Sequence, residues 1–281
     1  MTENYEYSPS ISLIKIATLR ITFMCGLICY TFSTMLHLVT LNMEGTAHLP
    51  LVTEFLTSTN PDCICLQEMP ASYIYELTVL GYYPCFAPMM RDTEVSENNV
   101  LGVCIATKQW PNSSIHYYFG VKDGIKTHIP RDTGNAQSFP FVYTEITHTD
   151  GHTYRIATTH LMVTRNGLAS PEQTASATAL IDTLTPYPPH LLCGDFNMPR
   201  GYNTNYERFT TRYTDTIPTK YTSSLDRTLH RDGKSTDLNA PIFDIYMVDY
   251  IFTQSPYQVQ DVQLHFGISD HAAVSAFILV S

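Results

Sequence analysis

Polar side chains that could do chemistry stand at the ends of apolar runs in this chain. In LLCGDFN, Asp195 and Asn197 follow an apolar stretch and a glycine, and in PDCICLQE the run ends in Glu68. A buried carboxylate is costly unless it is paired, hydrogen-bonded or bound to a metal, so these positions need partners or a chemical task. The complete set is Asn42, Glu68, His160, Asp195, Asn197, Asp249, Asp270 and His271.

The donor types in this set select a kind of cation. Four carboxylates, two amides and two imidazoles suit a hard divalent ion such as Mg²⁺, with Mn²⁺ as an alternative, because Mg²⁺ prefers oxygen ligands and shares its octahedron with water and substrate phosphate. Soft zinc coordination fits less well, because none of the candidates is a cysteine. The residue types therefore predict a magnesium-dependent site.

The elements that must position this set begin at Leu36, from which strand-like and helix-like patterns alternate. SPEQTASATALIDTL is predicted to be a helix with Ser170 as its cap, Pro171 in its first turn and Gln173 completing a capping box. Asp150 and Gly151 predict a hairpin turn. Hairpins mixed with helical crossovers indicate an α+β fold, and strands packed side by side would bring the polar residues to one rim.

Composition favours one globular core. Hydrophobic residues make up 44% of the 281-residue chain and charged residues 15%, without repeats or low-complexity tracts. The net charge of −10 argues against a non-specific nucleic-acid binder, although a local basic groove or bound divalent cations could still admit a phosphate backbone. Nucleic acid is therefore a disfavoured but open partner.

The cysteines indicate a reducing compartment. There are seven of them, with no pair of CxxC motifs, and Cys63, Cys65, Cys104 and Cys193 lie in apolar runs. This pattern favours small buried hydrophobes over a disulfide framework or a zinc knuckle, and predicts a cytoplasmic location.

Residues 1–34 differ from the remainder and are predicted to be an extension before a domain at 35–281. Lys15 and Arg20 precede an apolar run of about a dozen residues, which is shorter than the ~20 residues of a spanning helix. Three interpretations stay open: a signal or anchor, an extension before a true start at Met35, and an extra packed helix. The first would leave membrane attachment or secretion open.

Six motifs occur in an order that resembles the endonuclease/exonuclease/phosphatase superfamily: TLNMEG, PDCICLQE, TTHL, GDFN, VDYIF and SDHAAV. Separations of 26 residues from Asn42 to Glu68, 35 from His160 to Asp195 and 54 from Asp195 to Asp249 support the match. The resemblance covers residues 36–281. It implies a four-layer α/β sandwich of two mixed, mainly antiparallel sheets packed face to face, with helices outside and the active site at one end.

The resemblance also implies metal ligands. Glu68 would be the principal one, with Asn42 and Asp270 next to the cation directly or through water.

The remaining motif residues would be catalytic. Asp195 would position or deprotonate the attacking water, and Asn197 would hold that water or a phosphate oxygen. His271 would contact the phosphoryl group with its ring oriented by Asp249, and His160 would stabilise the transition state or serve the leaving group.

The expected function is hydrolysis of phosphodiester or phosphomonoester bonds by water at a magnesium site. Alternatives are a nuclease proper, a catalytically inactive binding module with the same fold, and a membrane-anchored lipid head-group phosphodiesterase. The motifs leave the subfamily and substrate open, and a monomer is the default expectation for the oligomeric state.

Overall fold

The computed structural model describes residues 35–92, 100–120, 126–128, 138–230 and 242–281. These residues form thirteen strands and five α-helices. The strands are β1 Leu36–Asn42, β2 Cys63–Pro70, β3 Tyr83–Asp92, β4 Val100–Thr107, β5 Asn112–Gly120, β6 Lys126–His128, β7 Ser138–Thr147, β8 Thr153–His160, β9 Leu191–Asp195, β10 Thr214–Asp215, β11 Asp249–Thr253, β12 Tyr257–His265 and β13 Ala273–Val280. The helices are α1 Leu49–Thr59, α2 Ile74–Val79, α3 Pro171–Leu184, α4 Asn205–Thr210 and α5 Ile242–Ile245.

The strands form two mixed sheets. Sheet A has the order β12-β13-β1-β2-β4-β3-β6, and sheet B has the order β10-β11-β9-β8-β7-β5. The pairs β1–β2, β3–β6 and β8–β9 are parallel and the others are antiparallel. The predicted α+β class with two mixed, mainly antiparallel sheets is confirmed.

Two hydrophobic clusters hold the layers together. The larger one lies between the sheets, where Leu38 and Cys65 of sheet A meet Ile156 and Cys193 of sheet B. The smaller one joins the outer face of sheet A to α1 and α2, with Val52 and other apolar residues buried. Helix α3 packs on sheet B, next to β5. The result is the four-layer sandwich with helices outside.

Polarity changes in steps along the space between the sheets. Successive inward residues of β1 include Leu38, Thr40 and Asn42, and those of β2 are Cys63, Cys65 and Gln67, because side chains on one face of a strand recur every second residue. The space is therefore apolar in the middle, neutral and polar one step further, and acidic at the end where β1, β8 and β9 finish. We call this end of the sandwich the upper end.

Helix α3 begins as the sequence predicts, with one difference. The Ser170 hydroxyl accepts a hydrogen bond from the Gln173 backbone N–H at 3.1 Å, which confirms the cap. The predicted capping box is wrong, because Gln173 Oε1, which would have to accept from the Ser170 N–H, accepts instead from the side-chain amides of Asn203 at 2.9 Å and Asn205 at 3.1 Å. Its amide nitrogen donates to the carbonyl oxygens of Met162 at 2.9 Å and Asn197 at 3.0 Å. Those buried carbonyls need a donor, and Gln173 supplies it from the helix.

The opposite end carries an ionic contact between the sheets. The predicted turn at Asp150 and Gly151 is present, and it places His148 with Nδ1 3.1 Å from Asp150 Oδ2 and Nε2 3.7 Å from Asp62 Oδ2. Asp62 directly precedes β2 of sheet A, whereas His148 and Asp150 connect β7 to β8 of sheet B. The two aspartates raise the pKa of His148 above 6.5 although burial lowers it.

The five described cysteines, Cys63, Cys65, Cys85, Cys104 and Cys193, are free thiols. The predicted extension at residues 1–34, with Cys25 and Cys29, lies outside the described residues. The three interpretations of this extension therefore stay predictions. Within the described segments, none of the helices combines the length and the hydropathy of a membrane span.

Candidate active site

The strand ends bring the predicted residues together at the upper end. Asn42, His160 and Asp195 are the last residues of β1, β8 and β9. His160 pairs in register with Asp195. Asp249 pairs with Asp195 as well: it is the first residue of β11, and β11 runs antiparallel to β9, so the start of one strand lies beside the end of the other. Asp270 and His271 lie three and two residues before Ala273, the first residue of β13, which pairs with β1.

Glu68 reaches the site through a backbone irregularity. Ile64 and Leu66 of β2 face the helices, so strict alternation would turn residue 68 to the same side. The pairing of β2 with β4 shifts between Leu66 and Met69, and Glu68 has a φ of 49°. A β-bulge with a residue in the left-handed region re-aims a side chain and stores strain, which is common at functional sites.

The Asp195 carboxylate is the centre of the arrangement and is almost fully buried. Its Oδ1 accepts a hydrogen bond from the Asn197 backbone N–H at 2.9 Å, and its Oδ2 accepts one from Asn42 Nδ2 at 3.0 Å. His160 Nε2 lies 3.5 Å and His271 Nε2 3.9 Å from the same Oδ2. Two imidazoles therefore converge on one carboxylate oxygen.

His160 and Asn197 form a second contact at the rim. The Asn197 amide nitrogen lies 2.9 Å from His160 Nε2 and donates to the Leu161 carbonyl oxygen at 3.0 Å. His160 Nε2 is also 4.0 Å from Glu68 Oε1. The His160 imidazole of sheet B thus lies between the Asn197 amide and the Glu68 carboxylate of sheet A.

His271 and Asp249 form a buried pair on the other side of Asp195. His271 Nδ1 lies 2.8 Å from Asp249 Oδ2, which also accepts a hydrogen bond from the Ser224 hydroxyl at 2.6 Å. Burial lowers the pKa of His271, but Asp249, Asp195 and Asp270 raise it further, so that its pKa lies well above 6.5. Burial and Asp195 raise the pKa of Asp249, against the lowering effect of His271. This pair holds an imidazole in the charged form that favours an anionic substrate.

The predicted metal ligands Glu68 and Asp270 have a further carboxylate, Glu44, close enough to act on the charge of Asp270. The pKa of Asp270 is raised to about 6 by burial and by the charges of Glu44 and Glu68, against the effect of His271. Glu44 in turn lies 2.9 Å from His48 Nε2. Carboxylates that repel one another in a half-buried cleft are the donor set that a divalent cation stabilises, so the residues present fit such an ion.

A second group of ligand-type atoms lies at the buried pair, although His271 could bind a metal only in its neutral form. One ligand atom each from Asp195, Asp249 and His271 lie within 4.8 Å of one another. Of the predicted ligands, Asn42 donates from Nδ2 to Glu68 Oε1 at 3.4 Å, while its Oδ1 accepts from the Glu44 backbone N–H at 3.1 Å. In this arrangement Asn42 orients the carboxylates, and its assignment as a ligand stays a prediction.

The motifs do not reveal Ser224 and Asp226, which fix the segment before β13. The Asp226 backbone N–H donates to the Asp270 carbonyl oxygen at 2.7 Å, and Asp226 Oδ2 accepts from the Gly267 N–H at 2.6 Å. The Ser224 carbonyl oxygen accepts from the Ala272 N–H at 2.7 Å. No local pattern in SSLD signals these long-range contacts.

Glu44 was also missed, although a signal existed. It lies within TLNMEG, two residues after Asn42, and has a φ of 50°. An acidic residue so close to a predicted ligand could have been added to the candidate set.

The chain belongs to the endonuclease/exonuclease/phosphatase family, whose profile matches residues 39–271. Members of this family are hydrolytic phosphoesterases that generally use a divalent metal. No curated protein sequence matches the chain significantly.

Solved structures share the fold at low sequence identity. An endonuclease/exonuclease/phosphatase from Beutenbergia cavernae is 14% identical with a TM-score of 0.66, over 88% of this chain and 72% of that one. D. rerio TDP2 in complex with a single-strand DNA product is 16% identical with a TM-score of 0.63, over 87% and 99%. The mannosyl-6-phosphatase of Bacteroides thetaiotaomicron is 13% identical with a TM-score of 0.57, over 87% and 99%. Identities this low establish the fold alone, since related folds carry different substrates.

Proposed function

We propose that this protein is a divalent-metal-dependent hydrolase of phosphate esters in which water attacks phosphorus. The observation that carries the proposal is the convergence of His160 Nε2 and His271 Nε2 on Asp195 Oδ2, at 3.5 and 3.9 Å, beside Glu68. The Asp195 carboxylate can hold a water. The two imidazoles beside it can stabilise the negative charge that develops on phosphoryl oxygens. This retained geometry speaks against an inactive binding module.

Each side chain has a role that follows from its contacts. Asp195 accepts hydrogen bonds on both oxygens, so it remains oriented toward the position where a nucleophilic water would lie. His271, kept cationic by Asp249, would bind a phosphoryl oxygen. His160 and the Asn197 amide, 2.9 Å apart, would serve the opposite side of the phosphate, where the leaving group departs.

Glu68 and Asp270, with Glu44 beside them, are the residues that would hold the cation, and Mg²⁺ or Mn²⁺ fits their oxygen donors. When bound, the metal supplies Lewis-acid polarisation of the phosphoryl group and lowers the pKa of a coordinated water. His271, paired with Asp249, adjoins this acidic group through Asp270 and would supply positive charge from the protein itself.

A second candidate substrate class is an amphiphilic phosphodiester such as a lipid head group. Leu168 and Tyr202, 50% and 44% exposed, lie on the loops that follow β8 and β9, and Ile245, 38% exposed, ends helix α5 before β11. The Asn203 amide bonds the Gly167 carbonyl oxygen at 2.8 Å, which joins two of these loops. Exposed apolar residues beside a site favour an apolar substrate group, whereas the net charge of −10 disfavours the nuclease alternative.

The test is hydrolysis of bis-p-nitrophenyl phosphate by the purified full chain with Mg²⁺ or Mn²⁺. We expect turnover that EDTA abolishes and added metal restores, and full activity in metal-free buffer would contradict the proposal. A panel of plasmid DNA, RNA, inositol phosphates and sphingomyelin vesicles then separates the substrate classes. Replacing Tyr202 by Ser, with Trp110→Ser at the opposite end as the matched control, should weaken vesicle hydrolysis selectively if the substrate is amphiphilic.

A further inference from the structure

A buried polar connection crosses from one sheet to the other directly below the candidate active site. The Gln67 amide nitrogen of β2 donates to the Thr40 hydroxyl of β1 at 3.2 Å and to the Thr158 hydroxyl of β8 at 3.0 Å. The Thr158 hydroxyl donates to the Cys193 carbonyl oxygen of β9 at 3.2 Å. This series of hydrogen bonds, called the Gln67 bridge, joins two strands of sheet A to two strands of sheet B.

The bridge lies in a part of the structure where apolar residues would suffice for packing alone. Gln67, Thr40 and Thr158 are each 0% exposed, and the next inward residues toward the middle of the core are apolar, such as Leu38 and Cys65. Burying an amide and two hydroxyls contributes little net stability, and each group becomes a liability if its partner is lost. Stability alone therefore gives no reason for this choice.

Each side chain of the bridge lies one or two residues before a site residue on the same strand. Gln67 directly precedes Glu68, and Thr40 and Thr158 lie two residues before Asn42 and His160. The residues of the site are divided between the sheets, with Glu68 on sheet A and His160 on sheet B. Apolar contacts tolerate sliding, whereas hydrogen bonds of defined length and angle fix the spacing and register of two surfaces.

We propose that Gln67 is a positioning residue, which through its hydrogen bonds to Thr40 and Thr158 fixes the distance between the site residues of β1 and β2 in sheet A and those of β8 and β9 in sheet B. Gln67 touches no reacting atom in this assignment. Its effect on turnover passes through the placement of Glu68 and Asn42 relative to His160 and Asp195. The part of the inference that concerns turnover rests on the proposed function.

The experiment compares a single with a triple substitution. Gln67→Met preserves volume and leaves the Thr40 hydroxyl without its partner, so both melting temperature and kcat should fall. The variant Gln67→Met/Thr40→Val/Thr158→Val removes the polar groups together, so its melting temperature should recover toward wild type. Its kcat should stay at least about tenfold low, because displacements of a fraction of an ångström to 1 Å reduce catalysis strongly. KM should change little.

Thr107→Val is the matched control. Thr107 is equally buried, but it is the last residue of β4, at the end of the sandwich away from the candidate site, and its hydroxyl donates to the Gln109 carbonyl oxygen at 2.8 Å. It should lower the melting temperature without changing kcat. Recovery of kcat together with the melting temperature in the triple variant would overturn the proposal. If the triple variant does not fold, Thr158→Val alone must lower kcat, since it removes the bond between the sheets.

A crystal structure of the triple variant, or of Thr158→Val if that is the one that folds, gives a readout that needs no turnover. We expect the distance from Asn42 Nδ2 to Asp195 Oδ2, 3.0 Å in the wild type, to lengthen beyond hydrogen-bonding range. An unchanged distance would refute the positioning role even if the wild type hydrolyses none of the tested substrates. A wild type without any hydrolysis would instead contradict the proposed function alone.

Discussion

Replacing Ser224 by Ala should impair the site without touching any of the motif residues. The Ser224 hydroxyl donates to Asp249 Oδ2 at 2.6 Å, and Asp249 Oδ1 is buried with no hydrogen-bond partner. The substitution would leave His271 as the remaining side-chain partner of this carboxylate among the described residues. A hydrogen bond to a buried charged group contributes about 1.5–3 kcal/mol, which alone would lower the melting temperature by roughly 3–12 °C. The Ser224 hydroxyl also accepts from the Val248 and Asp249 N–H groups at 3.2 and 3.3 Å, so this range is a lower bound.

The same loss should appear in catalysis, because Asp249 orients His271. If the full contribution is expressed in the transition state, turnover falls by about tenfold to a hundredfold, since 1.36 kcal/mol corresponds to a factor of ten. The assay is kcat and KM for bis-p-nitrophenyl phosphate below the lowered melting temperature, together with thermal unfolding.

Ser223→Ala provides the matched control for this experiment. Its hydroxyl donates to the Tyr246 carbonyl oxygen at 3.3 Å and accepts from the Leu225 backbone N–H at 3.2 Å, so the substitution removes the same atom from the neighbouring residue. We expect a smaller loss of stability and an unchanged kcat. A Ser224→Ala protein with kcat within about twofold of wild type, or a Ser223→Ala protein with an equal loss, would refute the reasoning.

Further expectations concern other parts of the chain. Glu68→Gln should mainly weaken Mn²⁺ binding in calorimetry, whereas Asp195→Asn should mainly lower kcat by ~10²-fold or more, and equal metal affinity and turnover in both variants and wild type would contradict the assignment. The contribution of His148 to stability should be complete below pH 6.5 and be lost as pH rises through its raised folded pKa, so melting temperatures of His148→Gln should lack that decline. Gly194→Ala should destabilise the protein strongly, because the new carbon would lie 2.0 Å from the Thr159 carbonyl oxygen, and a melting temperature near that of wild type would show that β8 and β9 can separate. A protein that starts at Met35 should hydrolyse substrate as well as the full chain, because every described strand and site residue follows that position, and a large loss of activity or melting temperature would show that the extension belongs to the fold.

Local patterns were sufficient to predict the strand ends but not the backbone irregularities. Asn42 and Asp195 follow apolar runs, so their placement at one rim follows from alternation and pairing. The position of Glu68 depends on a bulge and a positive φ that β2 adopts only when paired with β4. Sequence patterns predicted that a carboxylate ends this strand. The direction of the Glu68 side chain depends on the pairing with β4, which no local pattern describes.

The missed contacts are those between distant parts of the chain. Ser224 is 25 residues from Asp249 and carries no periodic or capping signal. Gln173 has the spacing of a capping box, but the side-chain amides of Asn203 and Asn205, 30 and 32 residues away, donate to its Oε1 in the buried loop region. Propensity and spacing describe local preference, and buried polar groups elsewhere can override it.

The arrangement of sheet A makes the site depend on the synthesis of β13. The last described strand, β13, lies between β12 and β1, so the first strand acquires this neighbour only after Ala273–Val280 has been synthesised. The bond from Asn42 to Asp195 spans 153 residues, and pairings of such long range form late and slowly in folding. A nascent chain that has reached Asp195 already carries most of the acidic ligands but lacks the imidazole and carboxylate supplied just before β13. The candidate site can therefore assemble only after β13 has been synthesised, and products truncated before Asp270 would carry some of its residues without the complete set.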